Sequence, residues 1–260
     1  MPLSPLPPVE AAKRLSAYAA VDRHIALEHK LIGIGSGSTV PYVVDRIVQQ
    51  GAAANAGRTF LPTGFQSKQL IIDAGLNLGD VDQYTRLDVC IDGADEVDSD
   101  LNAIKGGGAC QLREKVLADM ADTWVMVADY RKNSTVLGTN WKQGIPIEVA
   151  PFAYAQVLAT LVKMGGTPTL RMGKAKAGPV VSDNGMFIID ATFPEAQMKA
   201  PAKLNTEIKL ITGVVEVGLF CGMAKAAYFG NEDASVTCRA VGGKVEQIAS
   251  VPDVPPVASA

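Results

Sequence analysis

Residues Asp92 to Lys115 read DGADEVDSDLNAIKGGGACQLREK. Asp92, Asp95, Glu96, Asp98 and Asp100 crowd the start of this run, followed by Lys105, the glycines Gly106, Gly107 and Gly108, and Glu114 between Arg113 and Lys115. Carboxylates move protons, an ammonium stabilises a developing oxyanion, and glycines let main-chain amides approach a ligand. Glu114, near a helix N-terminus and beside cations, is expected to stay ionised, as a general base must. Taken singly, a surface acid, a floppy glycine loop or a capped turn explains each residue. Their arrangement at one sheet edge is what points to a site. Asp92 ends an apolar strand and, with Asp95, is placed to enter a cleft. Asp98 and Asp100 are read as solvated turn residues. A calcium loop is excluded, because Ala94 and Val97 stand where a ligand and a glycine are needed. A magnesium site stays open, although no further acid cluster lies at a useful spacing.

A second glycine stretch, GIGSGST, spans Gly33 to Thr39 between a strand and a helix. Amides at such a turn converge on an anion with help from the helix dipole. Ser38 occupies the third glycine position of a dinucleotide fingerprint, and no lysine precedes Ser38 or Thr39 as a Walker motif requires. The turn therefore suits a phosphate or a sugar hydroxyl rather than a nucleotide. A tight turn with capping hydroxyls would explain it equally well. Lys132, just past a strand ending near Asp129, lies along the same sheet edge and could meet an anion. His24 and His29 are read as structural, and no Ser/His/Asp or Cys/His constellation emerges.

The elements that must position these groups alternate. Pro8 opens a helix running to about Glu28 after an extended proline-rich arm. KLIGIG, RTFLPTG, RLDVCIDG and TWVMVAD read as strands. STVPYVVDRIVQQ, capped by Ser38 or Thr39, FQSKQLIIDAGL and ACQLREKVLADMA read as helices, the last with Leu112, Val116, Leu117 and Met120 as its apolar stripe. Strand–helix alternation implies a parallel sheet with right-handed crossovers. The rhythm changes near Gly144 to strand, helix and short hairpin-like strands, then a helix over Pro201–Leu210 and a strand GVVEVGLF. This predicts a smaller α+β domain over residues 144–220, with residues 1–143 and 221–260 forming the larger domain. The last forty residues return to the first sheet or form a tail, and VPDVPPVASA is read as a disordered or surface-strapped end.

The chain has 260 residues, 48% apolar and 20% charged, with a net charge of −3. That is an ordinary globular composition, large enough for a sizeable core. No basic stripe exists to neutralise phosphates, so neither nucleic acid nor a membrane surface is an expected partner. No apolar run approaches the roughly 20 residues of a membrane span. Cys90, Cys110, Cys221 and Cys238 form no C-x-x-C pair and read as buried free thiols, which fits a reducing compartment. No secretory signal is visible, and a cytoplasmic location is expected.

A phosphorylated ligand, a carboxylate base, a cation and further proton-moving carboxylates suit aldose–ketose isomerisation through an enediolate. A hydride shift generally wants a metal to polarise both oxygens. Two rivals remain. A non-catalytic sugar-phosphate sensor would keep the glycine turns without needing Glu114. A magnesium-dependent phosphatase would use Asp92 as nucleophile.

GSGST, PTGFQS, DGADEVD, KGGGAC with REK, and ITGVVEVGLF, in order across most of the chain, together resemble type A ribose-5-phosphate isomerases, PTGFQS being of eukaryotic character. The resemblance implies interconversion of D-ribose 5-phosphate and D-ribulose 5-phosphate in the non-oxidative pentose phosphate pathway. It implies Glu114 as the base, Asp92 and Asp95 as assistants in ring opening and oxygen proton transfer, and Gly93 and Ala94 between them as substrate-binding residues. By the same resemblance Lys105 would be the enediolate-stabilising cation, and Gly106, Gly107 and Gly108 the backbone wall. It also implies Ser36, Gly37, Ser38 and Thr39 as the substrate-binding turn, Lys132 as a substrate contact, and Lys13 as the counterpart of a phosphate-side lysine. It further implies no cofactor, a homodimer or homotetramer, and a Rossmann-like, mostly parallel sheet with an inserted ferredoxin-like domain. Gln111 and Leu112 depart from a common bacterial pattern and are expected to face the helix surroundings, altering packing rather than chemistry.

Overall fold

The computed structural model describes residues 6–253. They divide into two compact units, one comprising residues 6–93, 117–133 and 224–253, the other residues 94–116 and 134–223.

The first unit is built on a seven-stranded sheet in the order Lys244–Ile248, Val236–Ala240, Ala226–Gly230, Ala121–Asp129, Leu87–Gly93, Leu31–Ile34, Thr59–Pro62. The strands from Ala226–Gly230 to Thr59–Pro62 pair in parallel, and the last two in sequence add antiparallel. The final stretch of chain thus extends the first sheet. Ile32, Ile34, Val89, Ile91, Val125 and Val127 on one face and Cys90, Trp124 and Met126 on the other are buried, as strands covered on both faces require. The first helix, Pro8–His24, stops short of Glu28. Ile25 leaves helical geometry at φ −102° and ψ 90° and is buried in the same core. The helix Val40–Gln49 begins after Thr39, whose hydroxyl makes no capping bond, contrary to the expected cap. The helix Phe65–Asp73 ends as expected near Gly75, whose φ of +67° suits glycine. Of the proline-rich start, residues 1–5 lie outside the described residues, as do residues 254–260 of the expected tail. Pro252 and Asp253 are described, and their carbonyls accept from the buried Arg46 guanidinium.

The second unit holds an antiparallel sheet in the order Val214–Val217, Ile145–Val149, Phe187–Thr192, Thr167–Leu170, packed with the helices Tyr154–Lys163 and Pro201–Lys209 around Ile147, Leu161, Ile189 and Ile208. A three-stranded antiparallel sheet runs Leu219–Phe220, Ala103–Ile104, Glu96–Val97. GVVEVGLF was expected as one strand, yet it serves both sheets, changing partner at Gly218. A β-carbon there would stand 2.2 Å from the Lys105 carbonyl oxygen and 2.8 Å from that of Pro146. The Gly218 carbonyl accepts the Lys105 N–H at 2.9 Å, so this crossing fixes the backbone of Lys105.

Candidate active site

In the first unit Asp92 is fully buried at the end of its strand. Its Oδ1 accepts the N–H of Ser36 at 2.9 Å and of Gly93 at 2.7 Å. Gly35 makes this approach possible, because a β-carbon there would lie 2.0 Å from Asp92 Oδ1 and 2.4 Å from its Cα. On Gly93 a β-carbon would lie 2.9 Å from the Ser36 carbonyl oxygen. The two loops are thus locked together through one carboxylate.

PTGFQS supplies the floor of the Ser36–Thr39 turn. Thr63 and Ser67 are fully buried. The Thr63 hydroxyl donates to Ser36 Oγ at 3.2 Å, and Gln66 Oε1 accepts the Gly37 N–H at 2.8 Å. Gly37 has φ +109°, a conformation that favours glycine. Gly37 and Ser38 are exposed, while Thr39 is buried at the start of the helix. Sequence reasoning took PTGFQS as a mark of resemblance and missed its role. Thr63 follows a strand and a proline, a pattern that marks a turn but not what the turn touches.

Lys132 is half-buried in the turn after the strand ending at Asp129. Burial raises the Asp129 carboxyl, but bonding to Arg131 and the charge of Lys132 outweigh it and hold the group below its ordinary range. Lys13 is buried on the first helix and pairs with Glu10 at 2.7 Å. Bonding to Lys13, with help from Tyr42, keeps Glu10 low.

In the second unit Lys105 and Glu114 are both buried, with Nζ 3.2 Å from Oε1. The Lys105 ammonium also lies 5.5 Å from the centre of the Phe220 ring, a favourable site for a cation. Asp95, half-buried like its neighbour Ala94, accepts the Gly107 N–H at 2.7 Å through Oδ2. A β-carbon on Gly107 would lie 2.7 Å from Asp95 Oδ1, so the glycine admits the carboxylate. Gly106 has φ +99°, and Gly108 is exposed with open space where a β-carbon would point.

The cations that flank Glu114 in sequence are engaged elsewhere. Arg113 donates to Asn184 at 3.0 Å, and Lys115 to Glu216 at 2.8 Å. Burial pushes Lys115 down; Glu216, raised by burial but drawn lower by Lys115 and Lys209, ends below its ordinary value. Phe220, whose ring also takes Lys115 at 4.7 Å, was not singled out from sequence, because only tertiary structure puts an aromatic face beside a lysine.

Two expectations are corrected. Asp98 is not solvated: it is buried, and its Oδ1 accepts the N–H groups of Asp100 and Asn102 at 2.9 and 2.8 Å. Cys110 and Cys221 are half-buried rather than buried, although all four thiols are free. Gln111 is fully buried and packs against the glycine turn, where a β-carbon on Gly106 would lie 2.8 Å from its Oε1. Glu96, the remaining acid of the run, is also fully buried. It accepts from Ser134, Gly138 and Asn140, each at 2.6 Å, and so organises a loop. No group of three or more His, Cys, Asp or Glu side chains able to hold a metal occurs among the described residues.

Residues 59–234 match the family model for ribose 5-phosphate isomerase A, also called phosphoriboisomerase A. A ribose-5-phosphate isomerase of Cryptococcus neoformans var. neoformans is 72% identical over 257 residues, covering 95% of this chain and 85% of its own. The solved ribose 5-phosphate isomerase of Plasmodium falciparum superposes with a TM-score of 0.81 at 30% identity, covering 90% of this chain and 99% of its own. A solved D-ribose-5-phosphate isomerase in complex with phospho-erythronic acid superposes with a TM-score of 0.80 at 34% identity, covering 92% of this chain and 98% of its own. The large, mostly parallel sheet with a separate antiparallel sheet is the architecture these structures share with it. By sequence and by fold, this chain belongs to the ribose 5-phosphate isomerase A family.

Proposed function

We propose a division of labour among this chain's residues for the reaction of its family, the interconversion of D-ribose 5-phosphate and D-ribulose 5-phosphate in the pentose phosphate pathway. Glu114 removes the proton from C2 of the open-chain aldose and returns it to C1. The electron pair left behind makes an enediolate, and the Lys105 ammonium takes up its negative charge. Gly106 to Gly108 form the backbone wall, and the Gly108 N–H assists as an oxyanion donor, a kind of contact worth a few kcal/mol. Asp92 and Asp95 carry protons in ring opening and between O1 and O2. Ser36 to Thr39, Gly93 and Ala94 hold the substrate, and Lys132 and Lys13 draw its phosphate.

The observation that carries this reading is the Lys105–Glu114 pair, a carboxylate base and a cation 3.2 Å apart and both shielded from water. In such a setting a positioned charge acts more strongly than in solvent. Phospho-erythronic acid, bound by a relative, is a phosphorylated acid whose planar carboxylate resembles an enediolate, which fits a site of this kind.

The test is conversion of ribose 5-phosphate in deuterated water. The expected results are ribulose 5-phosphate carrying solvent deuterium on carbon, persistence in EDTA, and loss in Glu114→Gln. Full retention of the original hydrogen would favour a hydride shift, and phosphate release would favour the phosphatase reading. The proposed assembly is a homodimer or homotetramer, checked by light scattering. The proposed location is the cytoplasm, supported by four free cysteines that suit a reducing compartment.

A further inference from the structure

We propose that Arg171 is a positioning residue that sets the direction of the amides in the Gly106–Gly108 turn; this deepens the enediolate reading above and rests on it. Arg171 follows the strand Thr167–Leu170. Its own N–H donates to Ile188 and its carbonyl accepts from Val180, both at 2.8 Å, so its backbone is fixed on both sides. Its guanidinium forks onto Asp190, with Nε 2.8 Å from Oδ2, and Gln143 donates to the same oxygen at 3.1 Å. The side chain is only 12% exposed. The one remaining guanidinium nitrogen donates to the carbonyl oxygens of both Gly106 and Gly107, at 3.1 and 3.0 Å.

Two consecutive carbonyls therefore point at one cation. In a trans peptide the N–H lies opposite the C=O, and none of the described peptide bonds is cis. The peptide plane that aims the Gly106 carbonyl at Arg171 aims the Gly107 N–H away from it, where Asp95 accepts it at 2.7 Å. The next plane aims the Gly107 carbonyl at Arg171, and so turns the Gly108 N–H to the opposite side, at an exposed residue with open space where a β-carbon would point. Glycine imposes no such direction, because it admits many backbone angles. The Ala109 N–H shares the Gly106 carbonyl at 2.9 Å and Asp95 holds the Gly107 N–H, while the guanidinium ties both carbonyls to one point and so sets the second plane, and a charged donor on each carbonyl also polarises the attached N–H. An oxyanion meeting the Gly108 amide thus finds a donor already oriented, and orientation fixed beforehand lowers the barrier rather than strengthening ground-state binding.

The test compares Arg171→Met, which keeps bulk but removes the fork, with Arg171→Lys, which keeps the charge but cannot serve Asp190 and two carbonyls in the same planar geometry. Turnover per folded enzyme is expected to fall about tenfold or more in Arg171→Met with KM within about threefold, and by less in Arg171→Lys. Amide hydrogen exchange at Gly107, measured in both variants without substrate, is expected to speed up as the turn loosens. Should Arg171→Met fail to fold, Arg171→Lys decides by the same two readouts. Unchanged turnover per folded enzyme, a rise in KM alone, or unchanged Gly107 exchange overturns the proposal. A parent enzyme without isomerase activity would instead refute the reaction, and the exchange measurement would still decide whether Arg171 orders the turn.

Discussion

Glu114 Oε1 lies 3.2 Å from the ammonium of Lys105, although eight residues separate them in sequence and two other cations flank the glutamate more closely along the chain. Glu114→Gln keeps the shape of this pair and removes the base. Turnover is expected to fall by at least about 10²-fold with the thermal midpoint within a few degrees of the parent's. Lys105→Met removes the cation and is expected to cost a comparable factor in turnover. Steady-state kinetics alongside thermal unfolding checks both, and near-parent turnover in Glu114→Gln would remove Glu114 from its role.

Gly35→Ala is expected to damage the site without touching a polar side chain. Its methyl group would collide with the Asp92 carboxylate and α-carbon, which are held in place by the amides of Ser36 and Gly93. Overpacking of this kind costs about 1–3 kcal/mol. A lowered urea midpoint together with a large loss of turnover is the expected result. Parent-like values on both counts would show that the strand end can shift to make room.

Thr63→Val removes the hydroxyl that donates to Ser36 while keeping the branched shape. A loss of about 1 kcal/mol in stability is expected, with a rise in KM larger than the fall in kcat, since the turn it supports is assigned to substrate binding. A fall in kcat alone would instead place Ser36 in the chemistry.

Acid sensitivity should run through Glu216. Burial alone would raise this carboxyl, but Lys115 and Lys209 outweigh it and hold the folded value below the ordinary 4.5. A carboxyl lowered on folding adds stability that is complete above its unfolded value and is lost as pH falls through the folded one. Stability of the parent should therefore decline below about pH 4.5, and Glu216→Gln should be less stable at neutral pH but show a shallower decline. Denaturant titrations at several pH values check the slope; identical slopes would contradict the assignment.

Burial pushes the Cys221 thiol up to about 11. Because the thiolate is the reactive form, iodoacetamide near pH 8 should label Cys221 far more slowly than an ordinary thiol. Peptide mass mapping over time checks this, and rapid labelling of Cys221 would show that the thiol is more open than its surroundings imply.

The sequence by itself determined most of the architecture and the pool of candidate groups. The continuous apolar run ending at Asp92 required a strand buried on both faces, and alternating strands and helices required a parallel sheet. Periodicity and turn residues carry that information locally. Only the tertiary structure sorted the acids of one short run, giving Asp95 to the Gly107 amide, Glu96 and Asp98 to loop architecture, and Asp100 to solvent. The same holds for the partner of Lys105, the crossing at Gly218 and the hold of Arg171 on two glycine carbonyls. Side-chain identity tells what a group can donate or accept. Which donors and acceptors meet depends on contacts between residues far apart in sequence, and those exist only once the chain has packed.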